Sequence, residues 1–133
     1  MAVSESQPHL TMIAETTFAA GDLYKFVQAS TANARVSVVA TTGPTTVVGT
    51  LLSQTYSTST GANEAVTVGD LSGIGKVRMA GSTLAAGAPV AASSLGYGIS
   101  PTTNSVQLGI AVDGSSGTTG RIFSVKFGPS HNL

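Results

Sequence analysis

The side chains of this sequence that could carry acid–base or metal chemistry are few and far apart. Its only two imidazoles, His9 and His131, lie close to its two ends. A catalytic base must be held rigidly within hydrogen-bond reach of its partner, and terminal segments seldom provide that. Most carboxylates adjoin turns, where Asx-type hydrogen bonds give them a structural role; the scattered set is Glu15, Asp22, Glu64, Asp70 and Asp113. We therefore predict no enzyme, no catalytic residue, no metal site and no cofactor.

Two glycine-containing motifs could be mistaken for phosphate or dinucleotide sites. In Gly73-Ile74-Gly75-Lys76, a phosphate-binding loop would need glycine at position 70 and Ser or Thr at position 77, where the sequence has Asp70 and Val77. Gly96-Tyr97-Gly98 lacks the third glycine of the dinucleotide fingerprint and any surrounding βαβ pattern. Both motifs are better explained as turns between strands.

Composition excludes several classes of partner. Only 9% of the 133 residues are charged, the formal net charge is zero, and no run of basic residues occurs. Such a chain offers no electrostatic footprint for nucleic acid or for an anionic membrane. There is no cysteine, and neither a signal-peptide pattern nor a stretch of transmembrane length is present. We expect a soluble, unprocessed protein whose surface either relies on hydroxyls and small residues or is partly covered in an assembly.

The elements that must position these side chains are short strands. Runs rich in Val and Thr are separated by Gly, Ser and Thr, and no window of eleven or more residues shows a helical period. This pattern predicts an all-β fold: a small compact β-barrel or a β-sandwich, of β-tulip-like character, in a single domain over residues 17–127.

The sequence also predicts an internal pseudo-repeat. Thr17 to Gly21 reads TFAAG and Thr83 to Gly87 reads TLAAG, and each is followed by apolar strands in the same order. We therefore expect one strand–turn–strand unit to occur twice, over about 17–68 and 83–127. Phe18 and Leu84 occupy equivalent places and are predicted to anchor the core of each unit.

Residues 1–16 are predicted to be an extended N-terminal arm, and residues 128–133 a C-terminal tail. The arm is either a frayed terminus or a segment that orders against a partner, and Pro8 biases its neighbours towards extended backbone. If the arm binds a capsid protein or a neighbouring subunit, the residues expected to make that contact are Pro8, His9, Leu10, Met12 and Ile13.

The order of these segments resembles the capsid cement, or head decoration, proteins of tailed bacteriophages. That family has a strand with Gly-(Val/Ile)-Leu, a Gly-x-x-Lys-Val-x-x-Gly link, an Ala-Gly-Asp-Pro-Val turn and a Gly-Ile-Ala strand. The matching segments span roughly residues 17–127: Gly49-Thr50-Leu51, Gly73 to Gly81, Ala86 to Val90 and Gly109-Ile110-Ala111. Ala88 departs from the acidic residue usual in the second turn, whereas Asp22 keeps it in the first.

The resemblance implies a non-enzymatic structural protein of the virion. It implies β-rich subunits, often homotrimers, on the capsid exterior at three-fold and quasi-three-fold positions, with the major capsid protein as partner and the N-terminal segment reaching along the shell. The alternative is a carbohydrate- or host-surface-binding β module of a phage fibre or tail accessory protein. The absence of Trp and the presence of only three Tyr weigh against that alternative, and a small hydrolase would need a nucleophile–base pair that the sequence does not show.

Overall fold

The regular secondary structure of the described residues is almost entirely β-strand, which confirms the predicted all-β fold. A computed structural model describes residues 7–30, 35–40, 47–56, 61–81, 83–103, 105–114 and 119–128. Within these ranges Ala20–Asp22 form a 3-10 helix, and no helix is long and apolar enough to cross a membrane. The strands are β1 His9–Ala14, β2 Phe26–Ala29, β3 Arg35–Val38, β4 Val47–Leu51, β5 Ala65–Asp70, β6 Ile74–Arg78, β7 Pro89–Ala92, β8 Gly98–Ile99, β9 Gly109–Ala111 and β10 Ile122–Phe127.

The first five strands close into a barrel. Their order is β1-β3-β2-β4-β5, and β1 pairs with both end strands. It runs antiparallel to β5, from His9 opposite Gly69 to Ile13 opposite Ala65. It runs parallel to β3, where Ile13 lies opposite Arg35. Because β1 is hydrogen-bonded on both sides, the barrel has no free edge there.

The last five strands repeat the order of the first five. They form the sheet β6-β10-β9-β7-β8. Because the first barrel is closed, its order can also be read as β1-β5-β4-β2-β3, and β6 to β10 then take the places of β1 to β5. The registers agree: Gly49 pairs with Asp70 between β4 and β5, and Gly109 pairs with Phe127 between β9 and β10. In the second repeat, a parallel bridge between Met79 and Gly98 takes the place of the parallel β1–β3 pairing that closes the first barrel. The pseudo-repeat is therefore a repeat of topology and of strand register.

Each repeat begins one strand earlier than the sequence indicates. Residues 9–14, assigned above to an extended arm, form β1 of the first barrel, and Ile74–Arg78 form the equivalent strand β6. The repeats thus cover 9–70 and 74–127 rather than 17–68 and 83–127. Residues 1–6 of the predicted arm and 129–133 of the predicted tail lie outside the described residues.

Two core clusters correspond to the two repeats. Phe18 is fully buried in the first cluster, and Leu84 is 1% exposed in the second, so both predicted core anchors are confirmed. The Ala-Ala-Gly turns after them also match, since the Asp22 amide donates to the Ala19 carbonyl and the Ala88 amide donates to the Ala85 carbonyl, both at 3.0 Å. Only the second turn uses the left-handed region, at Gly87 with φ of +86°.

The two repeats share an apolar seam to which Phe26 is central. The Phe26 side chain belongs to the second core cluster although β2 lies in the first barrel, and its ring meets that of Phe127 edge-on with centroids 6.4 Å apart. The Phe26 amide donates to the Gly96 carbonyl at 2.7 Å, and the Arg78 amide donates to the Tyr24 carbonyl at 2.8 Å. The second sheet therefore packs over the outside of the first barrel.

The Gln7 side chain lies between the two repeats, against strands β4, β5 and β6. Its amide nitrogen donates to the Thr50 hydroxyl at 3.0 Å and to the Asp70 carbonyl at 2.8 Å. Gly69 and Gly75 face the Gln7 side chain so closely that a Cβ on either glycine would overlap its amide group. The absence of side chains at these two positions is what leaves room for a buried amide between the repeats.

Candidate functional surface

The scattered carboxylates serve the scaffold. The Asp22 carboxylate accepts a hydrogen bond from the Ala19 amide and forms an ion pair with the Lys25 ammonium, both at 2.9 Å. The Lys25 ammonium also lies 4.9 Å from the centre of the Tyr97 ring, so a single cation joins the two repeats at this point.

The remaining acidic groups accept bonds from nearby backbone and hydroxyl groups. Asp70 accepts from the Leu71 amide at 2.9 Å, Glu15 accepts from the Ser30 hydroxyl at 2.8 Å, and Glu64 accepts from the Tyr56 amide at 3.0 Å. None of the bonds found for the aspartates is the predicted Asx turn to the amide two residues on: Asp70 accepts from the next residue, Asp22 from a residue three positions earlier, and Asp113 from Ser124. Among the described residues, no three His, Asp or Glu side chains come together as a possible metal site. His131 lies outside those residues.

Asp113 ties the β9 end to β10 and gives a testable stability effect. Its Oδ1 accepts a hydrogen bond from the Ser124 amide at 2.6 Å. We expect Asp113→Ala to lower the free energy of unfolding by about 1–3 kcal/mol, because a charge-assisted bond to a partly buried amide is lost. Asp113→Asn keeps an acceptor oxygen and should lose less than half as much in urea unfolding. Equal losses in the two variants would contradict this role.

Both glycine motifs are turns that lead into strands. Gly73 has a φ of +66°, and its carbonyl accepts a hydrogen bond from the Phe127 amide. Gly75 and Lys76 lie within β6. Gly96 has a φ of +80° ahead of β8. Neither segment precedes a helix, so neither presents the helix N-terminus on which phosphate sites are built.

The predicted partner-binding residues lie together at the start of the first barrel. Pro8, His9, Leu10 and Ile13 are exposed, Leu10 to 42% and Ile13 to 39%, whereas Met12 is half-buried against the first core. The Pro8 carbonyl accepts the Asp70 amide at 2.8 Å, which fixes the entry to β1. Along β1, Leu10 and Met12 share one face with the buried Ala14, whereas His9 and Ile13 lie on the opposite, outer face, so these side chains do not form a single surface.

A second exposed surface was not anticipated from the sequence. Ile110 is 44% exposed although it lies in the apolar segment Gly109–Ala111, and its partners across the sheet are Pro89 and Lys126. The sequence signal is an apolar run that predicts a buried strand. Only the strand register shows which of its side chains faces outward.

Comparison with known proteins gives a likeness of fold. No protein-family model matches the sequence, and neither does any curated protein. Among solved structures, the chain is similar to the head fiber gp8.5 N base of bacteriophage phi29, with a TM-score of 0.62 and 17% identity. The match covers 92% of this chain and 94% of that one, so the likeness extends over both repeats.

Proposed function

We propose that this chain is a structural protein of a phage head. It acts as a decoration, or cement, subunit that binds the outer surface of the major capsid lattice and stabilises it. The observation that carries the proposal is the likeness of fold, over nearly the full length of both chains, to a phage head fiber base. The order of motifs shared with capsid cement proteins supports it independently.

The described surface suits attachment better than catalysis. Its ionisable groups are engaged in local bonds or dispersed, and three of its exposed apolar side chains, those of Leu10, Ile13 and Ile110, lie on strands. Stable protein interfaces need about 1,600 Å² of buried area and no reactive group. Three linked subunits that engage the lattice together gain effective concentration, so a homotrimer at three-fold and quasi-three-fold positions could attach firmly through modest contacts.

The test is reconstitution on capsids that lack this protein. We expect purified chain to co-sediment with them at a saturating, symmetry-related stoichiometry, and to raise the temperature at which they release their contents. Leu10→Asp should weaken this binding by about tenfold, since a charge replaces an exposed apolar contact. Leu95→Asp, at an exposed position on the β7–β8 turn, is the matched control. Saturable binding without any thermal gain would contradict a cementing role, and absence of binding would contradict the proposal as a whole.

The alternative is a surface-binding module at the base of a fibre. The similar phi29 structure is the base of a head fiber, which favours a fibre context, and Tyr56 is 98% exposed. Specific binding to a glycan array that is lost in Tyr56→Ala, together with no affinity for capsids, would favour this alternative.

A further inference from the structure

The outer side of the second sheet carries apolar and basic side chains next to one another. Pro89 on β7 pairs with Ile110 on β9, and Ile110 pairs with Lys126 on β10. The residues that follow Pro89 and Ile110 or precede Lys126 are buried in the second core, so these three side chains point away from it. The same alternation defines an outer face, which consists of Ile74, Lys76, Pro89, Ile110, Ile122 and Lys126.

The apolar side chains of the outer face are open to solvent. Ile110 is 44% exposed, Ile122 is 40% exposed, and Pro89 is exposed beside Ile110. Large apolar side chains that gather on one exposed surface, rather than singly, indicate contact with another molecule.

The equivalent face of the first repeat is in contact with protein. Phe26, Thr50 and Gly69 occupy the places of Pro89, Ile110 and Lys126 in the matching strand pairs. Phe26 and Thr50 are fully buried beneath the second repeat and Gln7, and the Gln7 side chain covers Gly69. This side of the unit therefore serves once as a packing surface within the chain.

The basic side chains of the outer face have no acidic partner among the described residues. Lys126 is exposed and Lys76 is half-buried, and no carboxylate lies within ion-pair distance of either. Of the two charged groups that border the face, Arg78 donates to backbone carbonyls and Asp113 accepts from a backbone amide. Three basic groups and one acidic group leave this surface with an excess of positive charge, which favours an acidic partner.

The distribution of charge along the chain favours a short acidic partner over a long polyanion. Residues 71–133 hold four basic side chains and one carboxylate, and residues 1–70 hold five carboxylates and two basic side chains, which gives formal net charges of +3 and −3. An extended polyanion such as nucleic acid would meet the negative repeat as well as the positive one. A short segment that touches only the outer face avoids this repulsion.

We propose that the outer face binds an acidic protein segment in which apolar side chains lie between carboxylates. The apolar side chains of the segment contact Pro89 and Ile110, and its carboxylates pair with Lys76 and Lys126. The inference goes beyond the proposed function by naming the chemistry of the partner. It rests on that function only in assigning the segment to a capsid protein.

Peptide titration followed by nitrogen-15 NMR of the full chain tests this chemistry directly. The probe is a short peptide in which glutamates flank a central Val-Ile-Val. We expect saturable shifts of amides in β6, β9 and β10, and a dissociation constant that rises with salt because the paired charges are screened. Peptides with serines for the apolar residues, or with lysines for the glutamates, should each bind at least about tenfold more weakly.

Variants of the chain give an independent measure with matched controls. Lys126→Glu should raise the dissociation constant by at least about tenfold, because an attractive charge becomes repulsive. Arg35→Glu changes the net charge equally on β3 of the first barrel and should have little effect. Ile110→Thr should raise the constant by at least about fivefold through the loss of a central apolar contact, and Leu95→Thr should leave it unchanged. If circular dichroism shows Ile110→Thr unfolded, Ile122→Thr takes its place.

Several results would overturn the inference. These are the absence of saturable shifts, shifts confined to the first barrel, and binding that is indifferent to both Lys126→Glu and Ile110→Thr. Tighter binding of heparin or of anionic vesicles than of the probe peptide would identify a general anion surface instead.

The same variants applied to capsids separate this inference from the proposed function. Capsids that bind wild-type chain, Lys126→Glu and Ile110→Thr equally well would overturn the inference and uphold the capsid role. Peptide binding as expected, together with no affinity for capsids, would uphold the chemistry of the outer face and overturn the capsid role.

Discussion

Replacing Gly49 by alanine is expected to lower the free energy of unfolding by about 3 kcal/mol or more, because the added methyl has no space. A Cβ at Gly49 would overlap the Gly69 carbonyl oxygen on the neighbouring strand and crowd the Val68 side chain at 2.7 Å. Backbone atoms in the middle of a barrel ladder cannot move aside without breaking the β4–β5 pairing. Thermal unfolding followed by circular dichroism measures the effect.

The second repeat supplies a matched test of the same argument. Gly109 occupies the place of Gly49, and its Cβ would lie 2.5 Å from the Lys126 carbonyl oxygen and 2.7 Å from a Val125 methyl. We expect Gly109→Ala to be as damaging as Gly49→Ala. Gly21→Ala is the control, since no atom lies within 4 Å of its Cβ position, and the unfolding free energy should stay within about 0.5 kcal/mol. Tolerance of alanine at both strand positions would contradict the steric argument, and tolerance at only one of them would contradict the structural equivalence of the repeats.

Phe26→Ala is expected to cost about 3–5 kcal/mol and to destabilise both repeats together. Phe26 is anchored in a strand of the first barrel, yet its ring is buried in the core of the second sheet against Phe127. Removing the ring therefore leaves a cavity in the second core and weakens the seam that joins the repeats. Denaturant unfolding monitored by tyrosine fluorescence and by circular dichroism should show one coincident, shifted transition.

The control for this change is Phe26→Leu, which keeps most of the apolar volume and should lose less than half as much stability. Two separate transitions in Phe26→Ala, with the first barrel unaffected, would show that the repeats fold independently and that the seam contributes little. The same measurement on wild-type chain sets the reference for cooperativity.

Much of the fold could be predicted because its local signals are consistent. The TFAAG and TLAAG segments bring Phe18 and Leu84 to equivalent buried positions, as predicted. Such segments combine an apolar anchor with a tight turn, and both features depend mainly on neighbours in sequence.

The features that escaped prediction depend on distant pairing. Residues 9–14 carry no pattern in common with Ile74–Arg78, and only their pairing with β5 and β3 shows that they form the first strand of a repeat. The exposure of the Ile110 side chain follows from strand register. The burial of the Phe26 side chain in the second core follows from how the two sheets pack. Leu10 and Ile13, expected on an extended arm, lie instead in a barrel strand.

The closure of the first barrel by its earliest strand has a consequence for synthesis on the ribosome. Strand β1 leaves the ribosome about 55 residues ahead of β5, the strand with which it forms its longest ladder. At translation rates of about 5–20 residues per second, this is a wait of roughly 3–11 s. During that interval Met12 and Phe18 lack the sheet that later covers them, so nascent chains from which residues 65–70 have not yet emerged should be bound by chaperones that hold extended apolar segments, and the emergence of β5 should weaken this binding.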